Sequence, residues 1–251
     1  KSSKTMQMQP IYKNWPNSFP PVAVFAHVSE LTASPDFKPA KRGDFDAALR
    51  IVTGFADRFS WWPIDRAIAQ ARPDYLAAVL PAPGAQGANQ LPAAFAHVLT
   101  QRTGIPVLDA RKAPSQSSNK HRTHTNAWDR FRARPAFAWP SPPPSPAGDH
   151  AVLMLDDVVT TGASFAELRA FLYGSGFWPV AAVALVSTPS RNYGDEGTRL
   201  VPTLDEYRRM FAEKPEIAGI LSRLGIAGGN PYALTEAEIR LVLRTPVETM
   251  V

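Results

Sequence analysis

The chain contains no cysteine, so disulfide scaffolds, thiolate zinc sites, iron–sulfur clusters and a cysteine nucleophile are all excluded. No apolar run approaches the about 18 residues a membrane-spanning helix needs. No signal-type hydrophobic segment follows Lys1 to Gln9. These absences predict a soluble, cytoplasmic protein with no membrane partner. Charge of neither sign dominates: 27 Lys and Arg against 22 Asp and Glu leave +5, which suits an anionic ligand without announcing nucleic acid. What is present is ordinary globular composition, 45% hydrophobic and 20% charged over 251 residues. That is enough for one substantial core with appendages.

Residues 1–42 are polar and punctuated by Pro10, Pro16, Pro20, Pro21, Pro35 and Pro39, which predicts an extended arm that wraps the core and holds one short strand, Val22 to His27. Residues 43–188 form the predicted core. Asp44 is the candidate cap of a helix whose apolar positions are Phe45, Leu49, Val52 and Phe55 or Ala56, and Pro63 opens a second helix that ends before Pro73. From Tyr75 strands and helices alternate, which predicts an α/β fold: an open, mostly parallel twisted sheet with helices on both faces. Its strands are Tyr75 to Leu80, Ile105 to Leu108, Ala151 to Leu155 and Val180 to Val186. Helices run from Leu91 to Arg102 and through Phe165, Leu168 and Leu172 to a stop at Gly174.

Two segments interrupt this rhythm. In the stretch 111–138, Arg111, Lys112, Lys120, Arg122, Arg130, Arg132 and Arg134 face Asp129 alone, a larger surplus than that of the whole chain. Residues 139–147 carry Pro140, Pro142, Pro143, Pro144 and Pro146, a stiff extended spacer. A helical extension, 189–251, closes the sequence, with Thr235 and Glu238 spaced as a capping box.

The chemistry concentrates in Val152 to Ser164, where an apolar strand ends in Asp156 and Asp157 and a small turn, Thr160-Thr161-Gly162-Ala163-Ser164, opens a helix. Free amides, short hydroxyls and a helix dipole make such a turn a phosphate cradle, and Gly162 permits close approach. Two carboxylates at the carboxyl end of a parallel strand can accept bonds from a pair of sugar hydroxyls. The plainer alternative is a capped helix beside a solvated acid pair.

This stretch of thirteen residues resembles the phosphoribosyl pyrophosphate (PRPP) motif of type I phosphoribosyltransferases. The resemblance implies that Asp156 and Asp157 hold the ribose hydroxyls and that Thr160, Thr161, Gly162, Ala163 and Ser164 hold the 5-phosphate. Enzymes of the family that act on 6-oxopurines usually carry aspartate where Thr160 stands, which argues against that acceptor. Leu80-Pro81-Ala82-Pro83, Gly87-Ala88-Asn89-Gln90, Arg111, Gln116, Arg122, Asn126 and Phe131 are similar to the ComF-like, competence-associated branch. That similarity spans Tyr75 to Val186, without the branch's cysteine zinc element. By position, Ala82, Pro83 and Gly84 match the family's pyrophosphate loop, or form an ordinary strand-to-helix turn. Arg111 and Lys112, with Arg122 and His121 behind them, sit where a mobile loop meets the leaving pyrophosphate, or form a solvated basic face.

The expected activity is transfer of the phosphoribosyl group from PRPP to a small nitrogenous acceptor, with Asp156, Asp157, Arg111 and Lys112 as the catalytic set. Magnesium (Mg2+) would be held mainly by PRPP, with direct ligation by Asp156 and Asp157 left open. Family members are often dimers, so a homodimer is an accompanying expectation. The rival reading is a non-catalytic PRPP or nucleotide sensor whose basic loop binds nucleic acid or a protein, against which stand the lack of an evident helix-turn-helix and of aromatics interleaved with the basic residues apart from Trp128, Phe131 and Phe137. A third is hydrolysis or another transfer on a nucleotide. His121 and His124 suggest a metal or proton relay only weakly, since two histidines in a basic loop usually bind nothing. Trp61 and Trp62 are candidates for base stacking or simple packing. Phe25 to Val28 and Tyr207 to Phe211 are positional candidates for a hood over the base.

Overall fold

A computed structural model describes residues 8–82, 85, 87–112, 127–139, 148–188 and 198–250. Five strands form one sheet in which every neighbouring pair is parallel. Their order is β1 (Ala23–His27), β7 (Phe177–Ser187), β6 (His150–Val159), β2 (Tyr75–Ala78) and β3 (Val107–Leu108). The α/β fold expected from the alternating pattern is therefore present. The arm's strand joins this sheet at its edge, with Ala23 opposite Val183 and His27 opposite Ser187.

Period-two alternation explains why the central strands read as continuous apolar runs. Leu76, Ala78, Leu153, Leu155 and Val183 pack on one side with Ile51, Val52, Phe55, Leu91 and Phe95. Ala77, Val152, Met154, Ala182 and Ala184 pack on the other with Phe165, Leu168, Leu172 and Trp139. The first side is covered by α3 (Phe45–Arg58), α4 (Trp62–Ala71) and α5 (Leu91–Thr103), the second by α7 (Ala163–Gly174). The Asp44 carboxylate accepts the Ala47 amide at 2.9 Å, and Gly104 ends α5 in the left-handed region at φ 75°. The buried face of α3 is Ala47, Ala48, Ile51, Val52 and Phe55, whereas Phe45 is 37% exposed.

Strand order reverses between β2 and β6. The chain leaves β2 for β3 on one side, then returns to lay β6 and β7 on the other. In such sheets the crevice beyond the carboxyl ends of the strands at the reversal is where ligands bind.

The flanking segments pack on this core. Helix α7 ends at Gly174, and that glycine has a second reason: a Cβ there would overlap the Gln9 carbonyl oxygen. The arm runs along α7, with the Ile11 amide on the Ala170 carbonyl at 2.9 Å and the Arg169 guanidinium on the Lys13 and Asn14 carbonyls at 2.9 and 2.7 Å. Two short helices, α1 (Val28–Thr32) and α2 (Phe37–Lys41), follow the arm's strand.

The C-terminal helices α8 (Leu204–Glu213), α9 (Ile217–Leu224), α10 (Glu236–Arg244) and α11 (Val247–Met250) share a third apolar cluster with Trp128 and Phe131 of α6 (Ala127–Arg132). Thr235 and Glu238 make the expected capping box of α10. No helix among the described residues is long and apolar enough to cross a membrane.

Candidate functional site

Asp156 and Asp157 are the last acidic positions of β6, both buried at the reversal crevice. Thr160 follows, exposed, and Gly162 takes φ 76° as the residue before α7. A strand ending directly in a helix N-terminus thus places carboxylates and turn amides side by side, as their adjacency in sequence requires. Thr161, Ala163 and Ser164 are partly exposed around Gly162, where a helix start favours an anion.

The two carboxyls are surrounded differently. The Lys41 ammonium, at the end of α2, is ion-paired with Asp157 Oδ2, and the Asn89 Nδ2 donates to the same oxygen at 3.1 Å. Asn89 is oriented in turn by its Oδ1, which accepts the Leu91 amide at 3.2 Å. The Gln90 amide bonds the Ala40 carbonyl at 3.0 Å, so α2 and the loop after β2 are joined where Lys41 and Asn89 converge. Gly43 and Gly87 let those backbones meet: a Cβ on Gly43, at φ +105°, would lie 3.3 Å from the Gly87 Cα.

The charge of Lys112 acts on Asp156. Lys112 lies on β4 (Arg111–Lys112), which pairs antiparallel with β5 (Phe137–Ala138), and its amide donates to the Leu80 carbonyl at 3.0 Å. The ends of the basic stretch are thereby anchored beside the tip of β2.

The two carboxyls differ in acidity. Burial and the neighbouring Asp157 charge push the Asp156 carboxyl up to about 8, against the opposing charge of Lys112. Asp157 is equally subject to burial, but the Lys41 charge and hydrogen bonds from Lys41, Asp156 and Asn89 hold it below the usual carboxylate range. One acid and one carboxylate therefore stand side by side near neutral pH.

The predicted residues do not all gather there. Arg111 is turned to Asp109, its Nε 2.6 Å from Oδ1. Ala82 lies just past β2 and accepts the Ala85 amide at 3.2 Å. Pro83, Gly84, His121, Arg122 and His124 lie outside the described residues, as do positions 140–147 of the proline spacer. Trp61 packs edge-on against Phe25, centroids 4.8 Å apart, under the Arg102 guanidinium, while Trp62 is 60% exposed. Tyr207 and Phe211 pack on Tyr232. Trp128, Phe131 and Phe137 are buried and so present no stacking platform.

Arg134 is also withdrawn from the basic face. Its guanidinium lies between Glu167, at 2.5 Å, and Glu238, and the Tyr12 hydroxyl donates to Glu167 at 2.6 Å. Sequence reasoning missed Lys41, which carries no motif, and it read Asn89 only as part of a resemblance. A polar residue two places before a helix start was the available signal for Asn89.

Among the described residues no group of three or more His, Asp or Glu could hold a metal ion. Two carboxyls, one already paired with Lys41, fit magnesium that arrives on substrate phosphates, not a cage built by protein alone.

No protein-family model matches the sequence. Protein TraN of Escherichia coli is 27% identical over 169 residues, covering 67% of this chain and 36% of its own length. An uncharacterized protein of Haemophilus influenzae is 24% identical over 168 residues, covering 66% and 35%. The chain thus spans about a third of the length of the curated relatives it matches. Among solved structures, adenine phosphoribosyl transferase of Trypanosoma brucei is similar at a TM-score of 0.35, with 15% identity over 75% of this chain and 89% of the other. Orotate phosphoribosyltransferase of Aeropyrum pernix is similar at 0.32, with 18% identity over 64% and 68%.

Proposed function

We propose that this chain is a type I phosphoribosyltransferase of the ComF-like branch, which moves the phosphoribosyl group of PRPP to a nitrogen nucleophile other than a 6-oxopurine. The observation that carries the reading is the joint placement of Asp156, Asp157 and the turn 160–164 at one strand end in the reversal crevice. Sugar hydroxyls and the 5-phosphate need such groups a few ångströms apart, and adjacency along one strand-turn-helix supplies them. Asp157, held ionised, accepts from one ribose hydroxyl. Asp156 serves the other, accepting in its ionised form and donating when protonated.

In the reaction the bond from ribose C1 to the diphosphate breaks with its electron pair leaving on pyrophosphate. The acceptor nitrogen forms the new bond and releases its proton. Fixed cations stabilise the departing charge best where water is excluded; Lys41 is already ion-paired with Asp157, and Lys112, whose charge acts on Asp156, is the cation assigned to that task. Magnesium brought by PRPP would add charge neutralisation on the diphosphate.

A sensor that bound nucleic acid would have to do so without stacking on Trp128, Phe131 or Phe137, which are buried. Calorimetric titration of PRPP with magnesium into the wild type and the Asp156→Asn/Asp157→Asn variant is the test, followed by pyrophosphate detection on adding pooled bases. Binding confined to the wild type, with pyrophosphate released, is expected. Equal binding by both folded proteins removes the assigned roles.

A further inference from the structure

The turn that would hold the 5-phosphate has one bond of its own, the Ala163 amide to the Thr161 hydroxyl at 3.4 Å, and is braced from outside as well. Its Thr161 carbonyl accepts the Thr235 hydroxyl at 2.5 Å, from a residue 74 positions away. Gly162 is enclosed from the same direction: a Cβ there would overlap Leu200 Cδ2 and lie 3.2 Å from Thr235 Cγ2. Leu200 is tied to the residue that follows Thr235, its carbonyl accepting the Glu236 amide at 2.9 Å. All these contacts come from the extension beyond β7.

The Thr235 hydroxyl has two duties. Its oxygen accepts the Glu238 amide at 3.3 Å, capping α10, while its proton goes to Thr161. Glu238 closes the box by accepting the Thr235 amide at 2.8 Å, and its carboxylate pairs with the buried Arg134. Thr235 and Glu238 are both fully buried. The hydroxyl's direction is therefore set by a capped helix, and a helix terminus is stiffer than a free loop.

A backbone turn binds a phosphate well only if its amides are already aimed, because ordering them on binding costs affinity. Resting on the phosphoribosyltransferase reading, we infer that Thr235, with Leu200, is a positioning residue of the 5-phosphate turn, so that the C-terminal extension is part of the PRPP site. Thr235 touches no substrate. It acts through the Thr161 carbonyl and the enclosed Gly162.

Thr235→Val removes the hydroxyl at constant shape, and Thr235→Ser keeps it. Affinities of both variants and the wild type are measured for PRPP, ribose 5-phosphate and inorganic pyrophosphate, each with magnesium. Thr235→Val should weaken PRPP and ribose 5-phosphate about tenfold while leaving pyrophosphate unchanged, and Thr235→Ser should restore most of the loss. Equal weakening of all three ligands, or none, overturns the inference, as a general loss of stability would not distinguish the phosphate from the pyrophosphate.

A second readout needs no ligand. Amide hydrogen exchange at Thr161 to Ser164 should quicken in Thr235→Val relative to strands β6 and β7, and unchanged exchange also overturns the inference. If the wild type binds none of the three ligands, the phosphoribosyltransferase reading fails, while the exchange comparison still decides whether Thr235 holds the turn.

Discussion

Lys41 and Asp157 stand 116 residues apart in sequence and form an ion pair at the tip of the central strand. The lysine side chain is 32% exposed and the aspartate side chain only 7%, so the carboxylate depends on the cation more than the reverse. Lys41→Met leaves Asp157 buried with Asn89 as its remaining donor outside the acid pair. We expect a loss of about 1–3 kcal/mol, discounted for the exposed lysine, and a smaller loss for Lys41→Arg. Urea unfolding at pH 7 measures both, and equal stability of the two variants would contradict the pairing.

Asp156 gives the protein a pH dependence whose sign follows from its raised pKa. Between the ordinary carboxylate value of 3.8 and about 8, the folded form keeps a proton that the unfolded form has lost. The folded state therefore binds more protons, and this group's contribution to stability falls as pH rises through that window. Asp156→Asn removes the dependence. Its melting temperature should exceed that of the wild type at pH 8, by about 2–4 °C per kcal/mol gained, with a smaller difference at pH 5. A difference that is larger at pH 5 would reverse the assignment.

Arg134 lies between Glu167 and Glu238 with little solvent access. Desolvation opposes its charge, yet the two carboxylates raise its affinity for the proton, and Glu238 is itself pushed up by burial despite Arg134. Arg134→Met should cost about 3–5 kcal/mol because two buried carboxyls lose their cation. Adding Glu167→Gln and Glu238→Gln to that change should recover most of the loss. Denaturant midpoints of the single and triple variants test this, and a triple variant no more stable than the single one would contradict it.

The neighbours Arg111 and Lys112 should behave differently. Arg111 is held by Asp109, whereas the Lys112 charge acts on Asp156. Lys112→Gln should weaken PRPP binding about tenfold or more, and Arg111→Gln by only a fewfold. Titration calorimetry on both variants distinguishes them, and the opposite ranking would move the anion-binding role to Arg111.

Much of this was legible locally. The apolar run from Val152 to Leu155, the acid pair and the small turn announce a buried strand running into a helix start, because each depends on residues within about a dozen positions. Thr235 and Glu238 similarly announce a capped helix at three-residue spacing. The stop of α5 at Gly104 follows from the backbone freedom of glycine.

The identity of the partners was not legible in the same way. Nothing local to Lys41 points to Asp157, nothing near Thr235 points to Thr161, and Arg134 reads as one more cation in a basic run until Glu167 and Glu238 close on it. Local hydrogen bonding and hydrophobic period determined the elements, the parallel α/β class and the motif at the end of β6. Only the tertiary structure decided which lysine meets which aspartate and what supports the turn, because those contacts join elements whose approach is set by packing across the whole sheet.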